Sequence, residues 1–240
     1  MKKNDVEQLG ALSWLYHQSY LGEINIRPNN LDALVKSINK LRRKRRPDFK
    51  KVDKGSVQLS EEYLYIEYIS DALEKLGFLY FARDKIKKNI KDLHAGKYHI
   101  YNSIFDCKAL LDTMAGLLNH HYKLGQRRGG IDLKRSEFMQ KLADKNSLLA
   151  KEIGKFMVWV KAVSEWRDTL IHKRGILLFL VKGDRYLMPI RPKRLVEIAL
   201  FQVPTVDPIK FCEENIMCAK SIMEIVYGCI QKDLMERLSS

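Results

Sequence analysis

The chain lacks the features of exported and membrane-spanning proteins. Its 240 residues contain no run of the ~20 apolar residues that a membrane helix needs, and Met-Lys-Lys-Asn-Asp at the start is not followed by the apolar core of a secretion signal. The four cysteines are not closely paired as zinc ligands are, so we expect reduced thiols rather than disulfides: Cys107, Cys212, Cys218 and Cys229. These absences predict a cytoplasmic protein with no membrane partner.

Familiar catalytic and cofactor motifs are also missing. The sequence contains no Ser-His-Asp order, no phosphate-cradling glycine loop and no Walker-type lysine, so we expect no cofactor. The segment Asn119-His120-His121 is a weak metal candidate, because adjacent histidines on a helix point about 100° apart. No acid or cysteine stands at ligand spacing from it, and we predict no metal site.

What the chain has in excess is positive charge. The net charge is +14 with a pI near 9.5, and Arg42 to Lys51 holds seven basic residues against one acid. Such a run attracts phosphates by releasing counterions, which makes part of it candidate RNA-binding residues: Arg42, Arg43, Lys44, Arg45 and Arg46. The alternatives are a basic helix tail and linker without a ligand, or a nuclear-import signal.

Helical periodicity dominates the rest of the chain. Apolar spacing and capping residues predict helices over 31–46, 60–94, 98–124, 133–145 and 147–172, with a final helix opened by Asp207-Pro208 and ending near Leu238. Two apolar runs around Lys182-Gly183-Asp184 predict a β-hairpin over about 176–190. The fold class is therefore all-α, an antiparallel bundle of four principal helices with a small inserted β-hairpin.

Two further patterns concern organisation and aromatic residues. Pro47 to Gly55 has nothing to bury, which predicts an N-terminal helical, basic extension and linker over 1–55 and a helical domain over 56–240. Six aromatic residues recur between 63 and 81; aromatics beside basic residues can stack RNA bases, but this helical spacing favours the bundle core. They are Tyr63, Tyr65, Tyr68, Phe78, Tyr80 and Phe81.

The strongest functional candidate is the end of the 147–172 helix. Arg167, Asp168 and His172 precede Gly175 there. Arginine presents a donor fork that fits phosphate, and histidine can move a proton near neutral pH, so these residues could cleave a phosphodiester. Five residues turn a helix by about 140°, so Arg167 and His172 meet only if the helix frays or if two copies combine. The alternative is a surface ion pair and a histidine suited to the helix dipole.

Three segments together resemble the HEPN superfamily: Ile104 to Asp112, Leu117-Leu118-Asn119, and Arg167-Asp168-x-x-x-His172. The resemblance covers roughly Ser60 to Gly175 and the last helix. It implies an all-helical, HEPN-like bundle that dimerises around an Arg-x4-6-His site. Many members are metal-independent endoribonucleases, some of them in toxin–antitoxin systems; others only bind nucleic acid, nucleotide or protein.

The resemblance sets the functional expectation. Arg167, Asp168 and His172 would be the catalytic residues of a homodimeric ribonuclease, with Lys173 and Arg174 contacting the RNA backbone. An antitoxin or another protein is a further possible partner. The alternative is a non-catalytic helical module that binds RNA or protein.

Overall fold

A computed structural model describes residues 28–44, 61–88, 92–172, 180–182, 185–189 and 205–239. Within those ranges the chain forms seven α-helices, a short 3-10 turn at Arg128–Gly130 and three short strands. The helices are α1 Leu31–Lys44, α2 Glu61–Lys88, α3 Leu93–Tyr122, α4 Ser136–Lys145, α5 Ser147–Gly154, α6 Met157–His172 and α7 Pro208–Ser239. The strands are β1 Leu180–Lys182, β2 Arg185–Pro189 and β3 Thr205–Val206.

The long hairpin of α2 and α3 is the backbone of the bundle. The Asp92 carboxylate caps α3 by accepting from His94 N and Ala95 N at 3.0 and 3.1 Å, which explains why the chain restarts a helix there. Gly116 lets the two helices approach closely, because a Cβ at this position would lie 2.7 Å from the Tyr68 ring. The helix ends where Lys123 adopts a left-handed conformation.

The main core lies between this hairpin and α7. Leu76, Leu117 and Ile222 are fully buried in it, and Asp207 caps α7 by accepting from Ile209 N and Lys210 N. Helix α1 packs against α7 and belongs to the same core through Leu34. None of the described helices contains a stretch long and apolar enough to cross a membrane.

A second, smaller core positions α6. Trp166 is buried against the ring of Phe211 and near Ile86, Ile104 and Met188, so it ties α6 to α2, α3, β2 and α7. The strands β1 and β2 form an antiparallel hairpin, and β3 pairs with the other edge of β2. The buried Trp166 thereby fixes the face that the neighbouring Arg167 presents.

The mostly helical class and the hairpin are confirmed, whereas several boundaries differ from the predictions. The predicted helix over 147–172 is two helices, because the backbone turns at Lys155–Phe156. The helix predicted over 133–145 begins later, at Ser136, and the carboxylate of Asp132 accepts from Lys134 N instead of capping this helix. The third strand was not predicted. The division of the chain near residue 55 stays a prediction, since 45–60 lie outside the described residues.

Candidate functional site

The predicted catalytic residues all lie in the last two turns of α6. His172 is its final residue and is exposed. Arg167 is partly buried, and its Nη1 lies 3.0 Å from Asp168 Oδ1. Since α6 stays helical through His172, Arg167 and His172 leave the helix about 140° apart. One copy of the chain therefore does not aim both side chains at a common point.

Arg167 belongs to a group of charged residues from three parts of the chain. We call this group the charged site: Lys108 and Asp112 from α3, Asp132 and Lys134 from the segment before α4, and Arg167 and Asp168 from α6. Its three cations and three carboxylates balance, so each charge has an opposite partner. A phosphate would have to compete with those internal partners for the cations.

Lys108 is the buried centre of the charged site. Its side chain is only 4% exposed, and its Nζ donates to Asp112 and, at 3.3 Å, to Asp132 Oδ2. An unpaired ammonium would be strongly disfavoured there, so at least one carboxylate has to stay paired with Lys108. Lys134 Nζ in turn lies 3.2 Å from Asp168 Oδ2, which links the segment before α4 to α6.

Asp112 faces the charged site from the middle of α3. Burial raises the pKa of this carboxyl above its usual value; Lys108 opposes the shift, Asp132 adds to it and Arg167 opposes it. Ion pairs link Asp112 to the predicted site through Lys108 and Asp132. Lys134, two residues after Asp132, continues the link to Asp168. Asp106, six residues earlier, lies instead near Lys75 and Glu74 of α2, and burial raises its pKa to about 6.

A second polar group lies buried near the end of α3. His121 is fully buried; its Nδ1 is 2.7 Å from Tyr65 Oη and its Nε2 is 3.1 Å from Asp233 Oδ2. Tyr122 Oη also donates to Asp233 at 2.7 Å, and Asn146 Nδ2 donates to Tyr122 Oη. We call these five residues the His121 network; they join α2, α3, α7 and the start of α5.

The His121 network suits a neutral imidazole. In one tautomer, Nε2–H donates to Asp233 and Nδ1 accepts a hydrogen bond from the Tyr65 hydroxyl. This tautomer satisfies both neighbours. Burial lowers the pKa of His121, and the bond to Asp233 opposes that shift. Among the described residues, no group of three or more His, Cys, Asp and Glu side chains is arranged to hold a metal ion. The network therefore has the geometry of a structural element.

The predicted RNA-binding residues are only partly covered by the structure. Arg42, Arg43 and Lys44 form the last turn of α1, whereas Arg45 and Arg46 lie outside the described residues. Lys173 and Arg174 follow α6 and also lie outside them. Their predicted contacts with RNA stay predictions.

The aromatic residues of α2 do not all join the core, which corrects the prediction. Tyr65 is fully buried, and Tyr68 and Tyr80 pack against the main core from partly exposed positions. Tyr63, Phe78 and Phe81, in contrast, are 52%, 43% and 41% exposed. Helical spacing alone does not show which stripe of a long helix a neighbour covers.

The sequence did not predict four members of the charged site as site residues: Lys108, Asp112, Asp132 and Lys134. Lys108 and Asp112 stand at the i, i+4 spacing of a helical ion pair, which was the available signal. Asp132 and Lys134 carry no such signal, because only the path of the chain after α3 brings them to Lys108 and Asp168.

No protein-family model, curated protein or solved structure matches this chain.

Proposed function

We propose that this protein is a HEPN-like, metal-independent endoribonuclease that acts as a homodimer. The observation that carries the proposal is the exposed His172 at the end of α6, five residues after an arginine that the charged site holds in place. An exposed imidazole can reach a second molecule, and a guanidinium held by a carboxylate is oriented before substrate arrives. Both are needed to cleave a phosphodiester through side chains alone.

The proposed reaction is transfer of the phosphoryl group to the neighbouring ribose oxygen. His172 removes the proton from the 2′-hydroxyl, and the 2′-oxygen attacks phosphorus. The bond from phosphorus to the 5′-oxygen breaks, and that oxygen takes a proton from water. The hydroxide that remains takes the proton held by His172, which returns the imidazole to its neutral form. The products are a 2′,3′-cyclic phosphate and a 5′-hydroxyl. Arg167 donates to the non-bridging oxygens, where negative charge develops.

The 140° between Arg167 and His172 favours a composite site. Two copies related by a two-fold axis can present Arg167 of one and His172 of the other to the same phosphate. Asp168 holds the Arg167 guanidinium in this scheme, and Lys134 holds Asp168. Lys173, Arg174 and the basic run from Arg42 to Arg46 add affinity for the RNA backbone.

The first experiment measures cleavage of a mixed RNA pool in EDTA. We expect cleavage by the wild type and a loss of at least about 100-fold in His172→Ala, the usual scale for removing a general base. His94→Ala is the matched control, because His94 is an exposed histidine near the start of α3, far along the chain from the site. Cleavage that needs a divalent metal, or that survives His172→Ala, contradicts the proposal.

A mixing experiment tests the composite site. His172→Ala and Arg167→Ala proteins are each inactive, but a heterodimer of the two keeps one intact pair across the interface. Half of randomly mixed dimers are heterodimers with one of two sites intact, so we expect about a quarter of wild-type activity. No recovery in a mixture shown to exchange subunits contradicts the shared site.

A second function remains a candidate because of the balanced charges of the charged site. Arg167 and Asp168 are both in ion pairs, as residues of a purely structural surface would be. The protein would then be a non-catalytic module that binds RNA or a protein partner. RNA binding that weakens with salt, without cleavage and with equal affinity in His172→Ala, supports this function over the first.

A further inference from the structure

Exposed aromatic side chains cover the outer surface of the α2–α3 hairpin. Phe78 and Phe81 of α2 are 43% and 41% exposed, and Tyr98 and Phe105 of α3 are 61% and 38% exposed. We call these four residues the aromatic face. Soluble proteins expose single aromatics commonly, but four large rings on two adjacent helices need an explanation.

The rings of the two helices meet across His99. The centroid of the His99 ring lies 6.2 Å from that of Phe81 and 5.3 Å from that of Tyr98, both in edge-on geometry. His99 thus bridges α2 and α3, which run antiparallel at this point. Phe81 and Tyr98 therefore belong to one surface, and Phe78 and Phe105 lie on the same two helices one and two turns further along.

Lysine ammonium groups lie over these rings. Lys85 Nζ is 5.1 Å from the centroid of Phe81, and Lys75 Nζ is 5.5 Å from that of Phe78. Lys97 lies over the neighbouring Tyr101 at 5.7 Å. Lys75 Nζ also lies 3.6 Å from Asp71 Oδ1 and 3.9 Å from Glu74 Oε2, so a phosphate would compete with those carboxylates for it. Rings for bases and cations for phosphates thus occupy the same surface.

The aromatic face leads along α3 to the charged site. Phe105 and Asp112 are seven residues apart, so they lie about 10 Å apart along the helix axis and within about 20° around it. Asp112 belongs to the charged site through its ion pair with Lys108, and Arg167 belongs to it through its ion pair with Asp168. A strand lying on the outer face of α3 would therefore run from Phe105 towards Arg167.

We propose that the aromatic face binds single-stranded RNA and guides it to Arg167. Bases stack on Phe81, Tyr98 and Phe105, and the lysines contact the phosphates. The inference deepens the proposed function by naming single-stranded RNA as the substrate class, and it rests on that function for the direction of the strand. The net charge of +14 favours a polyanion over an ordinary protein surface as the occupant. A double helix, with its bases already stacked, gains nothing from exposed rings.

The experiment measures binding of a fluorescent 15-nucleotide oligouridylate and of a 15-base-pair RNA duplex to His172→Ala protein, which does not cut RNA under the proposed mechanism. We expect Phe81→Ala, Tyr98→Ala and Phe105→Ala each to weaken oligouridylate binding about tenfold, within the range for stacking on aromatic side chains. Duplex affinity should change less than about twofold. Phe81→Trp keeps a ring and should keep the affinity.

Leu148→Ala and Met217→Ala are matched controls, because these side chains are 69% and 61% exposed on α5 and α7. They should leave oligouridylate binding unchanged. Equal binding by all aromatic variants overturns the inference, as does a dimer that falls apart in those variants while RNA affinity is kept, since a second copy then covers the face. Binding is measured without cleavage, so an inactive wild type would refute the nuclease and leave this result standing.

Discussion

The two polar groups of this bundle differ in what surrounds them. The His121 network consists of one carboxylate, that of Asp233, and neutral groups joined to it by hydrogen bonds. His121 at its centre is fully buried. The charged site consists of six ionised residues, and Arg167, Asp112 and Asp168 remain 30%, 45% and 43% exposed. The centre of the first group, His121, is sealed by the helices that the group joins, and Asp233 at its edge is 26% exposed. The charged site opens to solvent through Arg167, Asp112 and Asp168.

This difference separates structural polar residues from candidate functional ones. A buried histidine whose two nitrogens are both occupied cannot meet a substrate, however reactive an imidazole is in principle. An exposed histidine such as His172 can meet a substrate. The histidines of this chain are equivalent in the sequence, and their surroundings in the bundle make His121 and His172 different.

The largest expected effect comes from removing the centre of the buried network. His121→Ala removes the hydrogen bonds that join Tyr65 Oη and Asp233 through the imidazole, although Asp233 keeps its bond from Tyr122, and it opens a cavity where a fully buried ring lay. We expect the free energy of unfolding in urea to fall by about 3 kcal/mol. His172→Ala should change it by less than about 0.5 kcal/mol. Similar losses in both variants would remove the distinction between the two groups.

A smaller effect is expected from the one buried member of the charged site. Lys108→Ala leaves Asp112 and Asp132 facing each other without their cation. Breaking a buried ion pair costs about 3–5 kcal/mol, and because Asp112 is partly solvated we expect about 2 kcal/mol. The matched change Lys134→Ala removes an exposed pair and should cost about 0–1 kcal/mol.

Urea unfolding of the two lysine variants checks this order. If Lys108→Ala is as stable as Lys134→Ala, the buried ion pairs of Lys108 stabilise the fold no more than the pair of Lys134 does, which contradicts the prediction. If Lys134→Ala is the less stable of the two, the assignment of Lys108 as the buried centre is wrong.

The sequence predicted the elements that follow from local periodicity and capping. The helices α2, α3 and α7 and the β1–β2 hairpin were expected, because apolar spacing and Asp207-Pro208 act locally. The boundary between the first two was wrong: α2 ends at Lys88 rather than near residue 94, and α3 begins at Leu93 rather than at residue 98. The turn at Lys155–Phe156 was not expected, since Ile153, Phe156, Met157 and Val160 continue the apolar stripe across it. A two-residue strand such as β3 exists only through its pairing with β2, and it has no pattern of its own.

The site was predicted in part for the same reason. Arg167, Asp168 and His172 are close in sequence, so their proximity on one helix needed no knowledge of the fold. Lys108 and Asp132 are 24 residues apart and meet only because α3 and the segment after it are packed together. The exposure of Phe78 and Phe81 likewise depends on which stripe of α2 is covered by α3 and α7.

The smallest expected effect concerns Asp112 and the response of the two groups to acid. The folded-state pKa of Asp112 is raised, so its ionised form destabilises the fold at neutral pH, and this penalty disappears as the pH falls towards the unfolded-state value. The folded-state pKa of His121 is lowered, so the folded state holds this histidine neutral. The free energy of unfolding therefore decreases as the pH falls below about 6.5, where the unfolded histidine takes up a proton. Acid therefore removes the penalty of ionised Asp112 in the charged site and lowers the stability that the His121 network provides.

Asp112→Asn isolates the first of these responses, because asparagine resembles the protonated carboxyl. We expect the variant to be more stable than the wild type at pH 7.5 by less than about 1 kcal/mol, since Asp112 is almost half exposed. The difference should shrink at pH 4.5, when both proteins are compared by urea unfolding. A variant that loses more than about 1 kcal/mol at pH 7.5 would show that the Lys108–Asp112 pair holds the fold together. Asp112 would then resemble His121, and the charged site would be structural on its α3 side, with only the α6 residues left for chemistry.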